Sequence, residues 1–421
     1  MQQEKSIARH PSVIVAAILA LLWFSAVAFG VAISAHFPTS VDELEHLSFI
    51  RSLAADPTFF PKYGTYPTLS DDLTHWTPRI NYLAHPPLYY LLMAALPVNV
   101  LVLRLANLAI ALVGTACSIV ALAKLAPSPR VAVLATLLIA TFFRSMVTAG
   151  MINNDNLVVL ETGLILLTLA STKDRAVFQA VLLAVAGWTK LNAFVALTLI
   201  VAIVHLFEIA HERAPLLGRK SFALALGVAI GLAPSGANLL TLHTVVYTPH
   251  DFLFVPESAR QHLDFPGFVS FFIHRLGAKF PLKENSFDAT YLLGLALALA
   301  IIALPLERKR ARDLAVAFLG ALAIFFAIHL FYAWRSFTSL GSISDAQMRY
   351  YNALWPGFAF ALAVAVDAMI PFVQGLWASG ARSFGVITEL RPECRDNAAV
   401  KCEGGLRWHE IVGANIQRLR G

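Results

Sequence analysis

Apolar residues in this chain gather into long unbroken runs, and polar residues are confined to the stretches between them. Such runs fit neither the alternation of a half-buried strand nor the single stripe of a soluble helix. They fit helices surrounded by hydrocarbon. They predict transmembrane helices at 12–35, 100–123, 129–148, 155–171, 176–188, 191–209, 221–241, 289–306, 314–334 and 350–372. Most approach the roughly 20 residues that a helix needs to cross a bilayer. The expected fold is all-α: a polytopic transmembrane helix bundle of about ten spans with a helical first loop. The first run is longer than the roughly 7–15 apolar residues of a cleaved signal. Ala32-Ile33-Ser34 is a poor cleavage site, so the run reads as a retained first span.

Composition removes the soluble alternatives. Of 421 residues, 58% are hydrophobic and 14% charged, with a mean hydropathy of +0.67. A soluble surface needs about 25% charged residues. The net charge of +6 would suggest nucleic acid as a partner in a soluble protein. Here the basic residues mark one face of a membrane. Lys5/Arg9, Lys124/Arg130, Lys173/Arg175, Arg213/Arg219/Lys220 and Arg308/Lys309/Arg310/Arg312 fall on the N-terminal side, mostly in short loops, and the C-terminal tail adds seven more. Short basic loops stay cytoplasmic. Both termini are therefore expected inside a bacterial inner membrane, with the basic residues against membrane lipids and no nucleic acid.

One transmembrane domain, residues 1–375, is expected, with extracytoplasmic loops at 36–99 and 242–288. Residues 376–421 read as a poorly ordered cytoplasmic tail with a weak amphipathic helix at 408–419. Cys117 sits in an apolar run and Cys394 and Cys402 in the tail, so no disulfide is expected.

Candidate chemistry lies in the polar segments assigned to the outer face. In the first loop, Val41, Leu44, Leu47, Ile50 and Leu53 recur at helical spacing and predict a short interfacial helix. At its start, Asp42, Glu43 and Glu45 crowd together, with His46 within reach of either of the first two acids. A solvated helix N-terminus accounts for such acids as well as a site does. Further on come His85-Pro86-Pro87-Leu88-Tyr89-Tyr90, then Asn153-Asn154-Asp155-Asn156, where Asp155 could instead cap the next helix. Next is Trp188-Thr189-Lys190, whose lysine could simply snorkel to water. Last is Asp345-Ala346-Gln347-Met348-Arg349-Tyr350-Tyr351-Asn352. The second outer loop adds His243, His250, Asp251, Glu257, Arg260, His262, Asp264, His274, Arg275 and Lys279, and its 268–276 segment reads as an interfacial helix that shapes an acceptor site or acts as a lid.

The order Asp42-Glu43-x-x-His46, His85-Pro86-Pro87-Leu88-Tyr89-Tyr90, Asn154-Asp155, Thr189-Lys190, Arg349-Tyr350 resembles the GT-C superfamily. These are membrane glycosyltransferases that use polyprenyl-phosphate sugars, among them protein mannosyltransferases and the aminoarabinose transferases of lipid A. The likeness is greatest to a bacterial branch of predicted membrane proteins with the same loop signatures. It covers residues 12–372 and rests on the order and sidedness of five motifs, none specific alone. The resemblance implies that an acid of the first outer loop is the catalytic base: Asp42 by motif position, with Glu43 as the alternate. Two departures weaken the transfer. The sequence predicts no soluble C-terminal domain, and its acids are crowded as Asp-Glu-x-Glu.

The residue types suit that chemistry independently. A phosphate leaves readily once its charge is neutralised, so no general acid is required, whereas glycosidases need one. One base then suffices to deprotonate an acceptor hydroxyl, and cations must hold the phosphate. The candidate catalytic residues are accordingly Asp42, Glu43 and His46. The candidate substrate-binding residues are His85, Arg104, Asp155, Lys190, Arg349 and Tyr350. The expected partners are a polyprenyl-phosphate-linked sugar, membrane lipids and an acceptor that the sequence does not define. A divalent metal could replace part of the neutralisation, with His46 or His85 as ligands, although no complete ligand set can be assembled. The competing classes are a lipid or glycan transporter and a non-catalytic assembly subunit. Transporters concentrate polar and broken helix elements at the midplane, whereas here the ionisable residues collect at predicted span ends.

Overall fold

A computed structural model describes residues 7–38, 42–171, 173–211, 214–245, 262–277, 294, 297–298, 301, 309–341 and 347–389. Most of the predicted span at 289–306, more than half of the 242–288 loop and the 408–419 helix lie outside the described residues.

The described chain is mainly helical, and its longest helices are the apolar runs. Five are long and apolar enough to cross a membrane: α1 (Pro11–Ser34), α4 (Val100–Leu125), α9 (Leu191–Ala210), the continuous stretch Arg219–Leu242, and Ala311–Ser339 within α13 (Lys309–Leu340). In α1, Val13, Ala16, Ala20, Phe24, Ala28 and Ala32 turn inward at a period of about four residues. Ile14, Val15, Ile18, Leu19, Leu22 and Trp23 stay exposed. A helix with its bulkier apolar side chains outward and small ones inward is built for lipid. This is a membrane protein.

The expectation of about ten spans changes on two counts. The run at 129–148 is not one helix: α5 (Pro129–Ala140) and α6 (Phe143–Ala149) meet at 56°. Counted as one broken span, the pair brings the total to six among the described residues. The runs at 155–171 and 176–188 form α7 (Asp155–Leu169) and α8 (Ala176–Thr189), 15 and 14 residues long. At about 1.5 Å per residue such helices reach only about three quarters of the ~30 Å of hydrocarbon. Continuing, α10 (Arg219–Gly231) and α11 (Ala233–Leu242) make up the fourth long stretch, and α12 (Phe265–Gly277) is the predicted 268–276 helix. The last run is the start of α14 (Trp355–Glu389).

Close backbone approach sets the packing. A Cβ on Gly114 of α4 would lie 2.5 Å from the Leu160 Cα of α7, and Gly163 faces the Gly114 carbonyl in return. In the same way Gly187 of α8 meets Gly231 of α10. Small residues let helices approach where no hydrophobic force separates protein from lipid.

The first loop is not purely helical. After α2 (Glu43–Ala55), β1 (Pro67–Leu69) pairs antiparallel with β2 (Trp76–Ile80), Pro67 opposite Ile80 and Leu69 opposite Trp76. α3 (Leu88–Ala94) follows Pro86-Pro87. The stripe Leu44, Leu47, Ile50 and Leu53 is buried as its spacing predicts, against Tyr63, Leu69, Tyr89, Tyr90 and Met93. The helix is more deeply enclosed than an interfacial helix: every residue from Glu43 to Ile50 is buried. The Leu69 amide donates to Ser48 Oγ at 2.9 Å, and Asn81 Nδ2 donates to the Glu45 carbonyl at 2.8 Å, so the loop closes over α2.

The chain divides into two units, Met1–Met369 and Ile370–Gly421. Of the second, the described part is the continuation of α14 to Glu389, with Pro371 inside the helix.

Candidate functional site

Residues far apart in sequence meet through two ion pairs. Asp42 stands at the start of α2 with a left-handed backbone (φ 55°), a conformation that Asp tolerates better than most residues. Its carboxylate does not cap the helix. Instead Oδ2 accepts from Arg349 at 2.5 Å and Oδ1 accepts from the Tyr82 hydroxyl at 2.5 Å. Arg349 is carried by a single 3-10 turn, Met348–Tyr351, ahead of α14.

The second pair joins Lys190 Nζ to Asp155 Oδ1 at 2.5 Å, with side chains 4% and 2% exposed. Lys190 separates α8 from α9 with an extended backbone (φ −163°, ψ 124°). It does not snorkel to water, and Asp155 makes no cap: the Asp155 amide is bonded by Asn153 Oδ1. Tyr350 is shared between the pairs, its ring 5.6 Å from Lys190 Nζ and 5.9 Å from Arg349 Cζ.

The histidines belong to an aromatic stack. His46 Nδ1 bonds the Tyr90 hydroxyl at 3.0 Å, and the His46 ring stacks on His85 at 6.1 Å and on Tyr90 at 5.7 Å. The Tyr63 hydroxyl donates to the His85 carbonyl, fixing the turn before the prolines.

Glu43 and Arg104 occupy each other. Arg104 donates to both Glu43 oxygens at 2.8 Å and, through its remaining nitrogen, to the Ala32 and Ala35 carbonyls. Glu43 also accepts the Ile152 amide at 3.0 Å. A bidentate buried pair that ties the end of α1 to α2, α4 and the approach to α7 is a structural joint. Breaking such a pair from one side costs about 3–5 kcal/mol. Arg104→Ala should therefore lower unfolding stability in detergent micelles by about that amount, with partial recovery when Glu43→Gln removes the stranded charge. Wild-type stability for Arg104→Ala would show that the pair bears no weight.

The electrostatics separate the groups. Burial opposes the charge on Asp42, but Arg349 and the Tyr82 hydroxyl outweigh it and hold the carboxyl well below the usual carboxylate range. Burial also opposes the charge on Arg349, and Asp42 and Asp155 more than offset it. Burial drives His46 down to about 3 against the pull of Asp42, and lowers His85 as well. Both imidazoles are neutral at physiological pH. Burial raises Glu45 despite its pair with Arg79.

The structure thus brings Asp42, His46, His85, Asp155, Lys190, Arg349 and Tyr350 into one neighbourhood, and gives Glu43 and Arg104 a separate joint beside it. Tyr82 and Tyr90, not among the candidate residues drawn from the sequence, are the hydrogen-bond partners of Asp42 and His46. Only their proximity to the His-Pro-Pro motif could have signalled this. Asn154 and Asn352, quoted there merely as motif neighbours, are 0% and 4% exposed. Among the described residues, no group of three or more His, Cys, Asp or Glu side chains is placed to hold a metal ion.

Fold and site define a polytopic membrane protein that holds one ionised, partly accessible carboxylate between a tyrosine and an arginine, next to a second, deeper ion pair. No protein-family model, no curated protein and no solved structure matches the chain.

Proposed function

We propose that this protein is a membrane glycosyltransferase that moves a sugar from a polyprenyl-phosphate donor to an acceptor hydroxyl at the extracytoplasmic face, by inverting displacement at the anomeric carbon. The observation that carries the reading is the convergence of Asp42 with Arg349 and Lys190, three residues from separate motifs, the Asp42–Arg349 bond alone spanning 307 positions of sequence. A base for the acceptor proton and cations to neutralise the leaving phosphate are what transfer from a lipid phosphate requires. In this reading Arg349 and Lys190 take the phosphate oxygens. Asp42 takes the acceptor proton as the anomeric carbon–oxygen bond to phosphate breaks. Glu43, held by Arg104, is a poor competitor for the role of base.

The direct test supplies purified protein in proteoliposomes with polyprenyl-phosphate glucose or mannose and a cell-envelope extract as the source of acceptor hydroxyls, and follows release of polyprenyl phosphate by mass spectrometry. Release that depends on Asp42 supports the reading; identical release from wild type and Asp42→Asn argues against it.

A second reading, a lipid or glycan transporter, draws on Glu161. This acid is buried in α7, its Oε1 accepting from Thr189 at 2.5 Å beside the Lys190 break, and buried acids in membrane helices commonly mark transport paths. Movement of intact donor across the vesicle without loss of sugar would favour it.

The reading also fixes orientation. In a cysteine-free background, single cysteines at Asp71 and His262 should react with an impermeant maleimide in intact cells. One at Leu217, which is 97% exposed in a basic loop, should react only after permeabilisation. Labelling of position 217 in intact cells would invert the topology.

A further inference from the structure

Buried polar atoms that find no partner are uncommon in proteins, because each forfeits its hydrogen bonds to water. Among the described residues, such side-chain atoms concentrate at one place. Asn153 Nδ2, both amide atoms of Asn154, Asp155 Oδ2, Arg349 Nε and both amide atoms of Asn352 have no hydrogen-bond partner within the chain. They lie on two short segments, 153–155 and 349–352. The Asp155–Lys190 bond and the Tyr350 ring, 5.6 Å from Lys190 Nζ, bring those segments to the same ion pair. Asp155 also acts electrostatically on Arg349.

The chemistry of the set identifies what it would bind. A phosphate needs donors alone, and a metal or ammonium group needs acceptors alone. Here donors (Asn153 Nδ2, Asn154 Nδ2, Asn352 Nδ2, Arg349 Nε) and acceptors (Asn154 Oδ1, Asn352 Oδ1, Asp155 Oδ2) are nearly balanced. Hydroxyl groups, which donate and accept at once, match a balanced set. A carboxamide can engage two neighbouring hydroxyls of one ring. An apolar lipid chain would leave every one of these atoms unmet.

We propose that Asn154 and Asn352, beside Asp155 and Arg349, form a subsite that reads the hydroxyls of a neutral pyranose. This rests on the polyprenyl-phosphate reading above and adds to it the element that distinguishes the sugar from the lipid. The phosphate falls to the cations and the ring to the amides.

The test compares affinities of the full-length protein in nanodiscs for two probes: bare polyprenyl phosphate, and the same lipid phosphate bearing glucose or mannose. Wild type should bind at least one sugar-bearing lipid about tenfold or more tightly than the bare lipid, as two or three neutral hydrogen bonds imply. Asn154→Ala and Asn352→Ala should each reduce that preference severalfold, leave affinity for the bare lipid unchanged, and leave the unfolding temperature unchanged or higher, since each removes an unmet buried amide. An amide that only supported the fold would lower the unfolding temperature and weaken both probes together, and that outcome overturns the subsite. So does a wild-type protein that binds bare and sugar-bearing lipid equally, which is the result expected if ordered water alone fills these atoms. Failure of wild type to bind the bare lipid would instead sink the donor reading, and the subsite with it.

Discussion

Asp42→Asn should cut sugar transfer about a hundred- to ten-thousandfold, the usual cost of losing a general base, while the protein still inserts and still binds donor. Asparagine keeps the shape of the side chain: its one carbonyl oxygen can still accept from Arg349 while its amide NH2 turns to the Tyr82 hydroxyl oxygen, but it cannot carry away the acceptor proton. The partner positions make this variant informative. Tyr82 and Arg349 hold both carboxylate oxygens at 2.5 Å, so the exchange changes charge more than geometry. Initial rates of polyprenyl-phosphate release, measured at saturating donor, report the effect. Native rates in Asp42→Asn would remove Asp42 from the chemistry. Glu43→Gln serves as the contrast: with Glu43 committed to Arg104 and the Ile152 amide, its loss should appear as lowered stability before it appears in the rate.

Arg349→Ala should have the next largest effect, through two routes that kinetics can separate. A charge-assisted contact to phosphate contributes about 1.5–3 kcal/mol, so donor affinity should fall roughly ten- to a hundredfold. The second route acts on the base. With the guanidinium gone, burial of Asp42 no longer has its main counterweight, and its carboxyl titrates at higher pH than in wild type. A base with a raised pKa is protonated, and lost, as pH falls through that value. Arg349→Ala should therefore acquire an acid limb in its pH–rate profile at a pH where wild type is flat. Arg349→Lys restores charge without the planar fork and should recover affinity only in part. Unchanged donor affinity together with an unchanged pH profile would take Arg349 out of the site.

What could be read from the sequence, and what could not, follows from the range of the forces involved. The α2 stripe of Leu44, Leu47, Ile50 and Leu53 was legible because helical spacing is local. The long runs that became α1, α4, α9 and α13 were legible because hydropathy over some twenty residues needs no knowledge of neighbours. The same rule says less about α7 and α8, since apolar character alone cannot tell a short helix from one that crosses. It also missed the break between α5 and α6, where Thr141 and Phe142 carry no proline or glycine to announce a bend. The β1–β2 hairpin was invisible because three and five residues are too few for a period to show. At the site, motif order pointed to Asp42, Lys190 and Arg349, but it could not say that Arg104, 61 positions from Glu43, would be consumed by it. Local charge marked Asp155 and Lys190 as polar points in apolar surroundings. Only the packing of α7 against α8 makes them a pair.

The bond between Asp42 and Arg349 has a thermodynamic corollary. Whatever anion draws Arg349 away strips Asp42 of the partner that suppresses its proton affinity, so anion binding and proton binding at Asp42 are positively coupled. Linkage requires the coupling to run both ways. Protonating Asp42 releases the guanidinium and tightens its hold on the anion. Donor affinity should thus rise with acidity over the interval between the carboxyl's pKa in the free and the loaded protein. In Asp42→Asn, which never holds a proton at this position, that dependence should vanish. The resting site is a pair of opposed charges that excludes weak anions. Arrival of a phosphate strong enough to part them turns a feeble carboxylate into a competent base at the moment a substrate is there to use it.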